Sequence, residues 1–430
     1  MNREIPRLCL INPPHSYLKN PDAQAPLGLL YVGAAAEQAG FPVFFRNLSS
    51  IQNIHEAEIP TAEVYGVTGT VLDLPRVEEV CKILHERFSG CKTIVGGPIT
   101  LSKTKINRRH VDSLIFGEGE EIIVKLLNEW PFIQPSYAAS RIQDLDSLPL
   151  PARHLLAGKL GGSVFAGGKQ YFGEQSTVIS TSRGCPCACT FCASPSIWGR
   201  KIIYRSAESV IAEMQQVIRE YGVRQFRFSD DNLTCDAKAL KALCTFLEGQ
   251  EIAWRASIRV LPNKIEMFEM MKRAGCVEVC FGIESGDPDV LRALQKGASV
   301  NDNRTAIVNA KKAGLAVRIL FMIGTPGQTK QTVQRNIDFF ESVKEHYDSI
   351  ALTNFTPLPG CAIAENPAEH GCVPCDPWNL SDFNLCLYGP EGMNQWRNFI
   401  LPEGMTNEEM TAAKKAMIRY VILTGKSNEG

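Results

Sequence analysis

The chain has 430 residues, and its 45 basic and 46 acidic side chains give a formal net charge of −1. That length leaves room for two or three domains with full-sized cores. The charge balance excludes the basic footprint of a nucleic-acid binder and a polybasic membrane anchor. No apolar run reaches the length of a membrane span, and no apolar stretch follows the charged start Met1-Asn2-Arg3-Glu4. Fifteen cysteines without a secretory signal suit a reducing compartment and metal ligation better than a disulfide framework, so a cytoplasmic protein is expected.

Short β-branched runs alternate with amphipathic stretches from the start, the pattern of a parallel α/β sheet. Residues 8–12 predict a first strand, stopped by Pro13 and Pro14. Residues 27–39 predict a helix whose Gly33, Ala34, Ala35 and Ala36 are small enough to pack close to a sheet, with Gly40 as its cap. Further strands are expected at 42–46, 64–68, 93–95 and 113–116, and helices at 74–88 and 120–130. Five strands with crossovers make a doubly wound, Rossmann-like domain over residues 1–135, with its ligand crevice at the strand C-termini. Thr68-Gly69-Thr70, Gly96-Gly97-Pro98 and Gly117-Glu118-Gly119-Glu120 follow three of those strands. Glycine lets a bulky ligand approach the backbone and threonine offers a hydroxyl, though each alone is equally a tight turn. Thr68, Gly96, Gly97 and Gly117 are therefore candidate ligand contacts. Residues 136–172 are expected to be a linker rich in proline and turn formers, with 166–172 as an extra hairpin arm.

A β-branched run at 177–181 leads into Ser182-Arg183-Gly184-Cys185-Pro186-Cys187-Ala188-Cys189-Thr190-Phe191-Cys192. Cys185, Cys189 and Cys192 stand in a C-x3-C-x2-C spacing. Three thiolates on one tight loop hold three irons of a cubane cluster and leave one iron open, whereas four would close a structural site. Taken alone, the spacing also admits zinc with Cys187 as a fourth ligand, a disulfide, or unrelated core thiols.

The α/β alternation then resumes, and each strand ends in polar residues. A strand at 225–228 ends in Ser229-Asp230-Asp231-Asn232, and one at 253–258 (including Ser257) precedes Arg259. A strand at 277–281 runs into Gly282-Ile283-Glu284-Ser285-Gly286, and one at 317–323 (including Met322) into Gly324-Thr325-Pro326-Gly327. The last, 349–355, precedes Thr356-Pro357-Leu358-Pro359-Gly360. Helices are expected at 207–221, 265–274 and 332–343. Counting 177–181, these repeats make a partial (β/α)6 TIM-type barrel over residues 173–360, with its site at the C-terminal mouth. Residues 361–430 form a C-terminal helical extension. Within it Cys361, Cys372, Cys375 and Cys386 are spaced either for a second metal site or as core and loop thiols. Trp378, Phe383, Tyr388 and Trp396 either wall a substrate pocket or anchor the loop. Residues 402–423 predict a helix that closes the barrel.

The cysteine loop, with Phe191 before its last cysteine, resembles the radical S-adenosylmethionine (SAM) superfamily. The resemblance implies a [4Fe-4S] cluster on Cys185, Cys189 and Cys192, whose open iron is chelated by SAM. The cluster's electron then cleaves SAM to a 5′-deoxyadenosyl radical. It also implies that Asp230 and Asp231 meet the methionyl ammonium, although an acidic pair departs from the family's usual Gly-Gly-Glu. Ser257 and Arg259 would lie near the ribose or the methionyl carboxylate, Glu284 and Ser285 near the ribose hydroxyls, and Met322 and Gly324 under the adenine.

Asn12-Pro13-Pro14, Pro26-Leu27-Gly28-Leu29, Gly96-Gly97-Pro98 and Gly117-Glu118-Gly119-Glu120 resemble the cobalamin-binding domain that precedes many radical SAM cores. The Asp-x-His-x-x-Gly motif that supplies a lower histidine ligand elsewhere is absent, and His15 reads as a solvent-facing loop histidine. Many members of the subfamily hold cobalamin without that histidine. The resemblance as a whole implies hydrogen abstraction from a small-molecule metabolite and cobalamin-dependent methyl transfer to carbon. Flavodoxin, ferredoxin or a similar reductase would be the electron donor. The alternative is a degenerate cobalamin domain, with radical dehydration, rearrangement, cyclisation or epimerisation of a sugar-like or natural-product substrate. A non-catalytic sensor leaves the filled SAM positions unexplained.

Overall fold

The structure is a computed structural model and describes residues 5–15, 18, 20–102, 106–162, 171–375 and 398–426. The chain divides into two compact units, Met1–Gly162 and Ser163–Gly430.

The first unit is a six-stranded parallel sheet. Its strands are β1 (Leu8–Asn12), β2 (Val43–Asn47), β3 (Val64–Thr68), β4 (Lys92–Gly96), β5 (Ser113–Phe116) and β6 (Ser136–Ala138), in spatial order β2-β1-β3-β4-β5-β6. β1 is buried at all five positions, as its apolar run requires for a strand covered on both faces. Helices α1 (Leu27–Gln38) and α3 (Gly119–Glu129) pack on each other, and Leu29, Ala36, Ile123 and Leu126 bury Leu8, Leu10, Val64, Ile94 and Ile115. The small residues of α1 make this approach feasible. A Cβ on Gly33 would come within 3.0 Å of Leu155 and 3.2 Å of Leu10. Helix α2 (Leu74–Arg87) packs against β3 and β4. Strand order reverses between β1 and β3, and an open parallel sheet takes its ligand outside the strand C-termini at such a reversal. β6 pairs with β5 through Leu114↔Ser136 to Phe116↔Ala138, so the sheet has one strand more than expected, in the stretch read as linker.

The second unit is a six-stranded parallel sheet in spatial order β14-β13-β12-β11-β10-β7, each strand beside its neighbour in sequence. These are β7 (Thr177–Ile179), β10 (Gln225–Phe228), β11 (Ala253–Ile258), β12 (Cys276–Glu284), β13 (Ala316–Ile323) and β14 (Ser349–Asn354). Between β7 and β10 lies a small antiparallel pair, β8 (Ser182–Arg183) and β9 (Ile203–Tyr204). Helices α4 (Ser194–Trp198), α5 (Ala207–Tyr221), α6 (Ala237–Leu247), α7 (Ile265–Arg273), α8 (Pro288–Ala293), α9 (Val300–Lys312) and α10 (Thr332–Val343) lie between the strands, with α8 and α9 both between β12 and β13.

Local sequence sets several of these boundaries. The Ser206 hydroxyl accepts from Ser209 N at the start of α5, and Gly222 ends that helix in the left-handed region at φ 68°. Ser299 and Asp302 form a capping box on α9. Aromatic pairs seal helices to sheet, with Phe268 edge-on to Phe281 at 5.8 Å and Phe321 against Phe340 at 4.7 Å. The extension adds α11 (Ala362–Glu365), the antiparallel pair β15 (Cys372–Pro374) and β16 (Ile400–Pro402), and α12 (Asn407–Leu423). α12 packs on α10 and β14, as expected of a helix that closes the barrel. Among the described residues no helix is long and apolar enough to cross a membrane. The expected hairpin arm falls mostly outside the described residues.

Candidate active site

In the second unit the cysteine loop leaves β7, and its two ends are tied together. β8 pairs with β9, and Cys185 N donates to Gly199 O at 3.4 Å. Gly184 takes φ 101°, a left-handed turn that a side chain would strain. Cys192 N donates to Cys189 O at 3.2 Å, which folds the C-x2-C half into a turn. Thr190 pins that turn to the residues after α8, with its N–H on Leu294 O at 3.1 Å and its hydroxyl on Ala293 O at 3.2 Å. Burial pushes the Cys185 and Cys192 thiols up to about 11, and Asp231 and the neighbouring loop thiols add to the shift. The three cysteines and Asp231 thus share one field. No three ligand side chains among the described residues converge on a single ion position. A cubane requires no such convergence, because it takes one thiolate per iron.

The strand ends gather around this loop. Phe191 and Met322 share an apolar cluster with Val290, Leu294, Phe355 and Cys361. Arg259 Nη1 donates to Cys189 Sγ at 3.0 Å. Ser257 is half-buried on β11, in register with Cys280. Gly324 ends β13 at φ 86°, and a Cβ there would meet Lys414 Cε at 3.0 Å and Asn354 Oδ1 at 3.4 Å. A Cβ on Gly282 would lie 2.5 Å from Glu284 Oε1 and 2.8 Å from Lys296 Nζ, so a side chain there would displace the Glu284–Lys296 pair.

Three expected residues have other partners. Asp230 is fully buried and accepts from Thr181 N, Thr181 Oγ1 (2.7 Å) and Ser182 Oγ (2.5 Å), so it latches the end of β7. Burial pushes its carboxyl up despite those donors. Asp231 beside it is exposed, so the acidic pair is divided between two environments. Glu284, at φ 65°, pairs with buried Lys296 at 2.8 Å. The Ser285 hydroxyl bonds to Asn336 Oδ1 at 3.0 Å and accepts from Asp287 N, inside a turn. Sequence reasoning missed Lys296 and Lys414, which are 4% exposed. A lysine in a loop or on a helix reads as solvated, and only its partners reveal otherwise.

In the first unit, Thr68 ends β3 beside Gly96 and Gly97 at the end of β4, with the Thr68 hydroxyl 3.4 Å from Gly96 O. Gly97 has φ 84°, and a Cβ there would come within 2.5 Å of Thr68 Oγ1, so the two strand ends leave no room for a side chain. Gly117 follows β5 at φ 89°. His15 differs from its expected exposure. Its side chain is 14% exposed, with Nδ1 2.7 Å from Asp73 Oδ1 and Nε2 3.2 Å from Asn12 Oδ1. Asp73 also accepts from Thr70 N and its hydroxyl, so His15 bridges the ends of β1 and β3 at the strand-order reversal.

Residues 179–340 match the model for the radical SAM superfamily, and residues 22–127 match the model for the B12 binding domain. The chain belongs to the radical SAM superfamily and carries a B12-binding domain. It is an enzyme whose two matched domains are those for SAM and for cobalamin. An uncharacterized methyltransferase of Pyrococcus horikoshii is 29% identical over 328 residues, which is 70% of this chain and 69% of that one. The bacteriochlorophyllide d C-12(1)-methyltransferase of Chlorobaculum tepidum is 25% identical over 384 residues, 87% of this chain and 81% of that one. In fold, the radical SAM methyltransferase TsrM of Kitasatospora setae, solved with cobalamin and a [4Fe-4S] cluster, aligns with a TM-score of 0.71 at 15% identity. The alignment covers 98% of this chain and 90% of that one.

The donor sets fit these groups. The radical SAM domain offers three thiols on one loop and a guanidinium on one of them, with left-handed Gly324 closing the end of β13 against Lys414 and Asn354. The B12-binding domain offers the side-chain-free edge at Gly96 and Gly97. The extension adds no described metal set. Cys361 and Cys372 are buried in the apolar cluster with Ile363 and Ile400, where burial pushes their thiols up to about 11 and about 12. Cys386, like Trp378, Phe383, Tyr388 and Trp396, lies outside the described residues.

Proposed function

We propose that this radical SAM enzyme methylates carbon on a small-molecule substrate. Bound together, the cluster and SAM supply a hydrogen-abstracting radical and cobalamin supplies a transferable methyl group. In this reading Cys185, Cys189 and Cys192 ligate the cluster and Cys187 does not. Asp231, exposed beside the thiols, faces the methionyl ammonium, while Asp230 positions the loop by holding Thr181 and Ser182. Ser257 and Glu284 line the ribose side, with Ser285 supporting the turn. Met322, Phe191 and Gly324 form the apolar shelf for adenine. Thr68, Gly96, Gly97 and Gly117 give the corrin its backbone approach, and His15, engaged at both ring nitrogens, supplies no ligand to cobalt.

One observation carries the reading: a cysteine loop among polar strand ends and a glycine-edged crevice at a strand reversal occur in one chain, each within its own family match. The methyltransferases among its relatives set the direction. Flavodoxin or ferredoxin is proposed as the electron donor, and the cytoplasm as the compartment, where thiols stay reduced. The test is anaerobic reconstitution with iron, sulfide and cobalamin, followed by reduction with SAM carrying a trideuterated methyl group. The reading expects 5′-deoxyadenosine, corrin absorbance that persists through gel filtration, and label on cobalamin. Formation of 5′-deoxyadenosine without corrin retention would replace methylation by radical rearrangement, dehydration, cyclisation or epimerisation.

A further inference from the structure

The turn after α8 does more than follow a helix. Leu294 O and Ala293 O hold the backbone and hydroxyl of Thr190, between two of the cysteines. Lys296 Nζ pairs with Glu284 at 2.8 Å and stands 5.6 Å from the centroid of the Phe191 ring. Lys296 O accepts Nη2 of Arg259, whose Nη1 donates to Cys189 Sγ at 3.0 Å. Gln295 and Gly297 take φ 48° and 67°, which turns the Lys296 carbonyl toward Arg259. Lys296 N is itself fixed on Leu291 O at 3.0 Å. The guanidinium therefore has two anchors, one on a rigid turn and one on a cysteine sulfur, and it lies in the field of Cys185 and Cys187 as well.

We propose that Arg259, seated by the 294–297 turn, sets the reduction potential of the cluster. The inference rests on the reading that Cys185, Cys189 and Cys192 hold a cubane. Reducing that cluster adds one negative charge. A cation that donates a hydrogen bond to a ligand sulfur stabilises the more negative state and raises the potential. Glu284 balances the charge of Lys296, whereas the guanidinium of Arg259 donates to Cys189 Sγ and to a neutral carbonyl. Lys296 is a positioning residue, which acts through its carbonyl and through the Glu284 anchor.

The experiment is an EPR-monitored redox titration of reconstituted protein, with iron counted first. In R259Q carrying four irons, the midpoint moves to more negative potential. At the wild-type midpoint the oxidised-to-reduced ratio then rises about tenfold, equivalent to about 59 mV for one electron. R259K, which keeps the charge, moves less, and K296M gives a smaller shift of the same sign. A fully loaded R259Q with an unchanged midpoint overturns the proposal. Should R259Q take up no iron, wild-type protein grown on 15N-arginine decides. The reduced cluster then shows a 15N hyperfine coupling that R259K lacks, and absence of that coupling is equally fatal. Wild-type protein that assembles no cubane would instead end the functional reading itself.

Discussion

The two strand-end crevices of this chain are built from opposite materials. In the B12-binding domain the edge is backbone: Gly97 and Gly117 are left-handed, and Thr68 fills the one space where a side chain on Gly97 would go. In the radical SAM domain the mouth is chemistry: thiols, Asp231, Arg259, and the buried Lys296–Glu284 pair. A large cofactor with its own reactive metal requires room and shape from its protein. A cluster and a sulfonium cofactor require ligands, charge and a fixed electrostatic field. The difference also predicts how each region fails: the first through steric intrusion, the second through loss of particular groups.

The largest expected effect lies in the second region. Cys185→Ala, Cys189→Ala or Cys192→Ala reduces cluster content and 5′-deoxyadenosine to background, while Cys187→Ala retains both. Iron analysis and product chromatography check this, and a Cys187→Ala protein without a cluster would return the loop to a four-thiol site. Next, Gly97→Ala places a Cβ against Thr68 and forces a left-handed backbone, which costs about 2 kcal/mol. The expected outcome is loss of corrin absorbance with cluster content intact. Loss of both together would remove the contrast between the regions.

Asp231→Asn weakens SAM binding about tenfold, the scale of one charge-assisted hydrogen bond, as measured by equilibrium dialysis. Asp230→Asn acts on stability instead. Burial holds the Asp230 carboxyl above its ordinary range, so the folded state retains a proton that the unfolded chain releases. That contribution is present at low pH and is lost as pH rises from the usual carboxylate range through the folded-state value. Thermal unfolding across that window is expected to decline with pH in the wild type and to flatten in Asp230→Asn. The smallest functional effect belongs to His15→Ala. It loses the contact with buried Asp73, at a cost of about 1–2 kcal/mol, and keeps its corrin. Release of corrin from that variant would give His15 the ligand role denied here.

Much of this organisation was legible before any coordinates. Strand runs, their order, the cysteine spacing and the polar strand ends are local features, and local pattern fixes whether a residue ends a strand. The six strands of the second sheet and five of the six in the first follow from it, while β6 hid in a proline-rich stretch because three residues are too few to show alternation. The tertiary structure decided who partners whom. Asp230 and Asp231 are adjacent, yet one is claimed by Thr181 and Ser182, some fifty positions away, and the other is left at the mouth. His15 became a bridge because Asp73 arrives from another strand end. Lys296 became the seat of Arg259 and the partner of Glu284 because the turn after α8 folds back on the cysteine loop. Spacing along a chain determines which groups share a loop. Only the fold brings in the buried charge and hydrogen bonds, from distant sequence, that decide what each of those groups is free to do.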